Sequence, residues 1–195
     1  MNHKNNISII ISIVTYAVLI VVSLSLPFIS FDGYSILSNT TSHLGAQGSP
    51  NAWVVNLTFI LLGLNTLRVM IHTQIKYHQF FGSIFGISLI LTGIFQHASF
   101  VTNYETILWK DQLHSVFATS TGIAFIWIAF GQGFMSEGKQ RYAGIFFGVF
   151  ATLLSILMGW VPNYMGLFQR IMFYGAFYYM FFYLKPNNQK QSQPA

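Results

Sequence analysis

The chain has 195 residues, of which 53% are hydrophobic and only 7% are charged. Soluble domains carry about 25% charged residues, so this composition excludes an ordinary soluble protein and indicates a polytopic membrane protein. The formal charge is +5, but the basic residues are scattered singly, which suits anionic lipid head groups and argues against nucleic-acid binding. Because the sequence contains no cysteine, any metal site must use histidine and carboxylate ligands.

Six apolar runs are long enough to be membrane helices, since a hydrocarbon core about 30 Å thick needs roughly 20 apolar residues per helix. They cover residues 7–30, 52–71, 80–101, 112–135, 143–161 and 166–184. The runs are continuous rather than alternating, which argues against an outer-membrane barrel. We therefore predict an all-α fold, with a single six-transmembrane-helix bundle over residues 1–184 and a polar, disordered tail over residues 185–195.

The distribution of lysine and arginine predicts the orientation of this bundle. Most basic residues fall at one face, namely Lys4, Arg68, Lys76, Lys139, Arg141, Lys185 and Lys190. Only Lys110 and Arg170 fall at the other face, so we expect both termini to be cytoplasmic. Trp53, Trp109 and Trp160 then mark the outer interface. The Asn, Lys and Ile content favours the plasma (inner) membrane of a bacterium.

Two pairs of glycines provide small faces on which neighbouring helices can approach closely. Gly82 and Gly86 are four residues apart in the third predicted helix, and Gly144 and Gly148 are four apart in the fifth. In a bundle this compact, we expect both faces to pack within the monomer rather than form a dimer.

A cluster of polar residues is predicted on the outer side, near the ends of several helices. Its members are Asp32, Ser42, His43, Gln96, His97, Asp111, His114 and Arg170. The connection over residues 31–51 is the longest in the chain, and long structured loops are usually functional or fold over the bundle. Counting along two helices from a turn near Glu105 places His97 and His114 at similar depth. Asp111 precedes His114 by three residues, so we expect it to accept the imidazole N–H.

Arg170 departs from the positive-inside pattern, because it lies in the first turn of the last predicted helix. A guanidinium below the outer interface is costly and normally faces the bundle interior. We expect its partner to be a lipid phosphate or one of three carboxylates, which belong to Asp32, Glu105 and Asp111.

Two interpretations of the polar cluster stay open. In the first, His43, His97, His114 and Asp111 supply the ligands of a zinc ion that generates a hydroxide nucleophile, while Arg170 holds an oxyanion. In the second, His–Asp and Arg–Asp contacts only hold the helices together. The sequence contains neither His-Glu-x-x-His nor His-x-x-x-His, so the structural interpretation is favoured.

Three segments, SNTTSHLGAQGSPNAWVVNLTFILLG, LHSVFATSTGIAF and GLFQRI, resemble the bacterial and archaeal membrane family called domain of unknown function 998. The family pattern has a small-polar loop with Ser, an acidic or polar residue and Leu-Gly, then Pro and an aromatic residue before the second helix. Here His43 follows Ser42 where the pattern leads us to expect Asp. The resemblance spans nearly the whole chain, and it implies six helices but no established activity.

The chain is more distantly similar to a eukaryotic membrane family that includes lipid-remodelling and autophagy modulators, which hints at lipid-related work. Alkaline-ceramidase-like hydrolases use a Ser, an Asp and three His, including a His-x-x-x-His pair that this chain lacks.

Three function classes follow from these observations. The first, which we favour, is an integral membrane protein whose outward-facing polar pocket binds a membrane lipid or a partner. The second is a zinc-dependent hydrolase acting at the outer leaflet. The third is a small-molecule transporter, for which broken helices and an internal repeat would be expected. The sequence leaves open whether the protein is an enzyme and what its oligomeric state is.

Overall fold

The structure is a computed structural model that describes residues 3–184, so the predicted disordered tail over residues 185–195 lies outside the described residues. In this part of the chain the fold is all-helical and contains no strand. The helices are α1 (His3–Ser25), α2 (Thr41–Leu44), α3 (Ala52–His72), α4 (Lys76–Ile94), α5 (Leu108–Met135), α6 (Gly138–Trp160) and α7 (Met165–Tyr178). A 3₁₀ turn, Leu26–Ile29, follows α1, and a second, Pro162–Tyr164, precedes α7.

Five of the described helices, α1 and α3 to α6, are long and apolar enough to cross a membrane. The predicted membrane nature of the chain is therefore confirmed. The sixth predicted span corresponds to α7, which has 14 residues and continues as a five-residue π-helical turn, Tyr179–Tyr183. Because α7 alone is shorter than the roughly 20 residues that a membrane requires, the sixth span stays a prediction, as does the orientation.

The long helices form a ring in which each packs against the next in chain order and α7 returns to α1. Glycines allow the closest approaches. A Cβ on Gly86 would lie 2.9 Å from the Gly63 carbonyl oxygen, and one on Gly144 would lie 2.4 Å from the Gly133 nitrogen. Both glycine pairs named from the sequence thus pack against a neighbouring helix of the same chain, as predicted.

The connection over residues 30–51, here called the cap, folds over one end of the ring. Its single helix α2 contacts both α3 and α7. The cap backbone lies directly on the first turn of α7, where Leu167 N–H donates to the Leu37 carbonyl at 3.0 Å. A Cβ on Gly166 would lie only 2.2 Å from the Asn39 carbonyl oxygen, so a glycine is required there.

The third predicted helix, over residues 80–101, extends too far in the sequence-based prediction, because α4 ends one residue before Phe95. The carbonyls that would accept helical N–H groups in a longer helix accept hydrogen bonds from other residues instead. His114 Nδ1 donates to the Phe95 carbonyl at 2.7 Å, and the backbone N–H of Gln47 donates to the His97 carbonyl at 3.0 Å. His97 therefore lies in the non-helical connection between α4 and α5 rather than on a helix.

Candidate functional site

His43 closes the first turn of α2. The Thr40 hydroxyl accepts the His43 backbone N–H at 3.3 Å, while His43 Nδ1 accepts the Thr40 backbone N–H at 3.3 Å. This is a capping box with an imidazole in the place of the usual Glu. Asn39 Nδ2 donates to the same ring nitrogen at 3.2 Å, so the ring proton must sit on Nε2. His43 stands where the family pattern suggests Asp, and its Nδ1 still accepts the Thr40 backbone N–H at the start of α2, as a carboxylate at this position could.

Three imidazoles meet where the cap packs on the bundle, one from the cap itself and two from the α4–α5 connection and α5, as the sequence suggested. The ring centroids of His43 and His97 are 4.9 Å apart, and those of His97 and His114 are 5.4 Å apart. Burial lowers the pKa of His43 to about 3, with the two neighbouring imidazoles and the Arg170 charge acting in the same direction. His43 is therefore neutral at physiological pH.

Asp111 does not orient His114, contrary to the expectation from their spacing. Its carboxylate accepts the backbone N–H of Ala98 at 2.7 Å and lies 3.6 Å from His97 Nδ1. His114 instead donates from Nδ1 to backbone carbonyls, including that of Phe95, because the end of α4 presents unpaired acceptors directly beside it. These bonds leave the lone pair on His114 Nε2, which is buried without a partner among the described residues.

Arg170 is only 2% exposed, and none of its hydrogen-bond partners in the described chain is a carboxylate. It donates to four backbone carbonyls and to one phenol hydroxyl, those of Ser23, Ile36, Asn39, Gly166 and Tyr34. The expected pairing with Asp32, Glu105 or Asp111 is therefore wrong. The cap folds its carbonyl dipoles onto the guanidinium, while Asp32 and Glu105 remain exposed.

The polar cluster contains no group of three or more His, Asp or Glu residues arranged to hold a metal ion, and neither does the rest of the described chain. His43 is poorly suited as a ligand, because its Nδ1 already accepts two N–H groups and its Nε2 carries the proton. His97 and His114 retain a lone pair on Nε2, and a zinc site built on them with Asp111 stays a prediction.

Two members of the predicted cluster lie away from the imidazoles. Asp32 is exposed on the cap. Ser42 lies beside His43 in α2 but lines a separate space inside the ring. Gln96 takes part through its backbone, since its carbonyl accepts a hydrogen bond from Gln47 Nε2 at 3.3 Å.

That space is an apolar cavity of about 330 Å³ among α4, α5, α6 and α7. Aromatic side chains line it far from the cap, where the rings of Phe85 and Phe177 meet edge to face at 5.6 Å. At the cap end the lining becomes polar, with Ser42, Thr92 and Gln169. Sequence reasoning missed this cavity, because its apolar residues look the same in the sequence as residues that pack tightly.

The part of the cavity wall formed by α5 and α6 includes exposed residues. Near their connecting turn the two helices touch through Gly133 and Gly144. Closer to the cap, a Cβ added to Gly122 would have no heavy atom within 4 Å. Ile123 on α5 and Ser155 on α6 line the cavity and are both exposed, so we infer that its mouth lies between these two helices.

Residues 10–184 match the family described as protein of unknown function (DUF998). The match runs from α1 to the end of the π-helical turn and so includes the cap and the cavity. No curated protein and no solved structure matches the chain. Since the match covers most of its length, the resemblance identified from the cap, α5 and α7 is confirmed, and the chain belongs to the DUF998 family.

Proposed function

We propose that this integral membrane protein binds the hydrocarbon chain of a membrane lipid in the cavity among α4 to α7. The observation that supports the proposal is the cavity itself, which lies among α7 and three helices, α4 to α6, that are long and apolar enough to cross a membrane. Its volume of about 330 Å³ is within the usual range for ligand pockets, roughly 300 to 1,000 Å³. Its lining is apolar, with a few polar groups at one end, as such sites usually are.

The mouth between α5 and α6 gives this lipid a route from the bilayer. Because Ile123 and Ser155 line the cavity and are exposed, a hydrocarbon chain that enters between α5 and α6 would come sideways from the bilayer without first crossing water. The distribution of basic residues favours a cap on the outer side of the plasma membrane, so we propose that the lipid comes from the outer leaflet.

This proposal replaces the outward-facing polar pocket predicted from the sequence. The polar groups beneath the cap are largely engaged with one another and with backbone atoms, as the bonds of His43, Asp111 and Arg170 illustrate. The zinc-dependent hydrolase and the transporter stay predictions, since no specific contact in the described chain favours either of them.

Filling the cavity tests the proposal. Leucine at Gly122 would project into open space in the cavity lining, whereas leucine at Gly159 projects into open space on an exposed part of α6 that does not line the cavity. We expect native mass spectrometry of detergent-purified protein to detect a retained lipid in the wild type and in Gly159→Leu. In Gly122→Leu the ratio of lipid-bound to lipid-free protein should fall about tenfold, as expected if the added side chain costs about 1.4 kcal/mol of binding free energy.

The control separates loss of the site from general damage, because both substitutions replace a helical glycine that has free space around it. A wild type without any bound lipid, or a lipid that Gly122→Leu retains as fully as Gly159→Leu does, would contradict the proposal.

A further inference from the structure

The buried polar groups of the cavity lining differ in whether the protein already uses them. The hydroxyls of Thr92 and Thr121 donate to carbonyls of their own helices at 2.8 and 2.9 Å. The residues Ser42 and Gln169 are only 6% and 8% exposed, and both line the cavity. Among the described residues, neither the Ser42 hydroxyl nor Gln169 Nε2 makes a hydrogen bond to the protein, and both atoms stay accessible from the cavity. A polar group that faces an apolar cavity without a protein partner gains by bonding a ligand or water there, so these two groups are candidates to bind the polar part of a ligand.

The backbone fixes which end of the Gln169 amide faces the cavity. Thr41 N–H donates to Gln169 Oε1 at 2.7 Å, so this atom must be the oxygen. The NH₂ group is therefore the free end. The same bond holds the Gln169 amide beside α2, in which Ser42 follows Thr41. Both side chains line the cavity, so two potential hydrogen-bond donors lie at its cap end.

A hydrocarbon chain gains little by moving from the bilayer into an apolar cavity, since lipid tails are as apolar as the cavity walls. The polar end of the site must then supply most of the selectivity. Two neighbouring donors suit an acceptor oxygen, and a carbonyl oxygen with two lone pairs can accept from both.

We propose that Ser42 and Gln169 recognise the carbonyl oxygen of an acyl chain whose hydrocarbon part fills the cavity. The inference rests on the proposed lipid binding and adds the chemical class of the ligand, which is an acyl lipid. The carbonyl lies at the cap end, and the chain runs toward Phe85 and Phe177.

A pair of monoglyceride analogues tests this inference. 1-Dodecanoyl-glycerol and its ether analogue 1-dodecyl-glycerol differ only in the carbonyl oxygen. We expect wild-type protein in detergent to bind the ester about tenfold more tightly, because two hydrogen bonds are lost with the ether. Ser42→Ala should reduce this preference to about threefold or less while leaving the affinity for the ether unchanged.

Thr121→Val is the matched control, because the Thr121 hydroxyl lines the same cavity but is already bonded to the Phe117 carbonyl. This variant should keep the tenfold preference for the ester. Dodecanoic acid is a third probe, which tells an esterified acyl chain from a free fatty acid. If the ester binds more tightly than the acid, the natural ligand is an esterified lipid. If the acid binds more tightly, the ligand is a free fatty acid.

Two results separate the failure of this inference from the failure of the proposed function. If ester, acid and ether bind equally and Gly122→Leu weakens the binding of all three about tenfold, the cavity holds a hydrocarbon chain but does not recognise its carbonyl, and the inference is overturned. If none of the three probes binds, lipid binding in the cavity is itself wrong.

Discussion

His43 is a residue whose neutral form the fold requires. Its Nδ1 accepts two N–H groups at the start of α2, and the residue is only 7% exposed, with the ring centroid of His97 4.9 Å from its own. A proton on Nδ1 would turn both hydrogen bonds into repulsive contacts and place a charge near Arg170. Because the pKa of His43 is lowered to about 3, protonating this side chain costs more free energy in the folded chain than in the unfolded chain.

This pKa predicts that the protein loses stability in acid. The unfolded chain binds a proton at His43 below a pKa of about 6.5, whereas the folded chain stays neutral until about pH 3. The stabilisation is therefore complete above pH 6.5 and is lost as the pH falls below it. At pH 5 the loss should amount to about 2 kcal/mol of unfolding free energy.

Thermal or denaturant unfolding in detergent at pH 7.5 and pH 5 measures this effect. His43→Asn offers a carbonyl oxygen for the Thr40 N–H and cannot titrate, so its stability should change less with pH, by about the same 2 kcal/mol. His72→Asn, at the exposed end of α3, should behave as the wild type does. Equal pH dependence in the wild type and in His43→Asn would show that His43 does not control this response.

At the scale of elements, hydropathy predicted a helix well where the apolar run and the helix have the same bounds. The second predicted helix covers residues 52–71, and α3 runs from Ala52 to His72. The apolar run of α4 instead continues past the end of the helix through Phe95, Phe100 and Val101. Hydropathy cannot locate such an end, because hydrogen bonds from distant residues decide it.

Gln47 is the side chain that joins the cap to the connection between α4 and α5. It is fully buried, its Oε1 accepts the Ile107 N–H at 2.8 Å, and its Nε2 donates to the carbonyls of Gln96 and Ile107. This one amide therefore satisfies backbone groups that no helix or strand could pair in a segment of irregular structure.

We predict that Gln47→Met destabilises this connection specifically. Methionine keeps the volume but leaves a buried N–H and buried carbonyls unpaired, which should cost about 2 kcal/mol or more. Hydrogen exchange measured by mass spectrometry should speed up at Ile107 and its neighbours, while the middle of α3 stays protected. Gln112→Met, an exposed position on α5, is the control. Unchanged exchange in the Gln47 variant would mean that the cap is held by other contacts.

At the scale of the whole molecule, the sequence predicted the helical bundle but not the space inside it. Composition and apolar runs indicate that the chain is helical, that it is a membrane protein and where its charges lie along the sequence. A cavity depends on how far apart helices stand, and that distance is decided by a few small residues. Gly133 and Gly144 bring α5 and α6 together, while Gly122 leaves them open nearer the cap. Nothing in the sequence distinguishes these two roles of glycine.

The ring itself makes a prediction about topology. Because α7 returns to α1, the first and last elements lie side by side, and a crossing by α7 with its π-helical turn would complete six spans. With no cysteine in the chain, single cysteines serve as clean labels. The exposed positions Asp32 and Asn163 mark the cap end of the ring, and Glu137 marks the opposite end.

We expect a membrane-impermeant maleimide to label Asp32→Cys and Asn163→Cys in intact bacterial spheroplasts, and Glu137→Cys only after permeabilisation. A cysteine appended at the C-terminus should behave as Glu137→Cys does if α7 and its π-helical turn cross the membrane. Labelling of the appended cysteine in intact spheroplasts, together with Asn163→Cys, would reduce the bundle to five spans. Reversal of the whole pattern would place the cap in the cytoplasm, and the lipid would then enter the cavity from the inner leaflet.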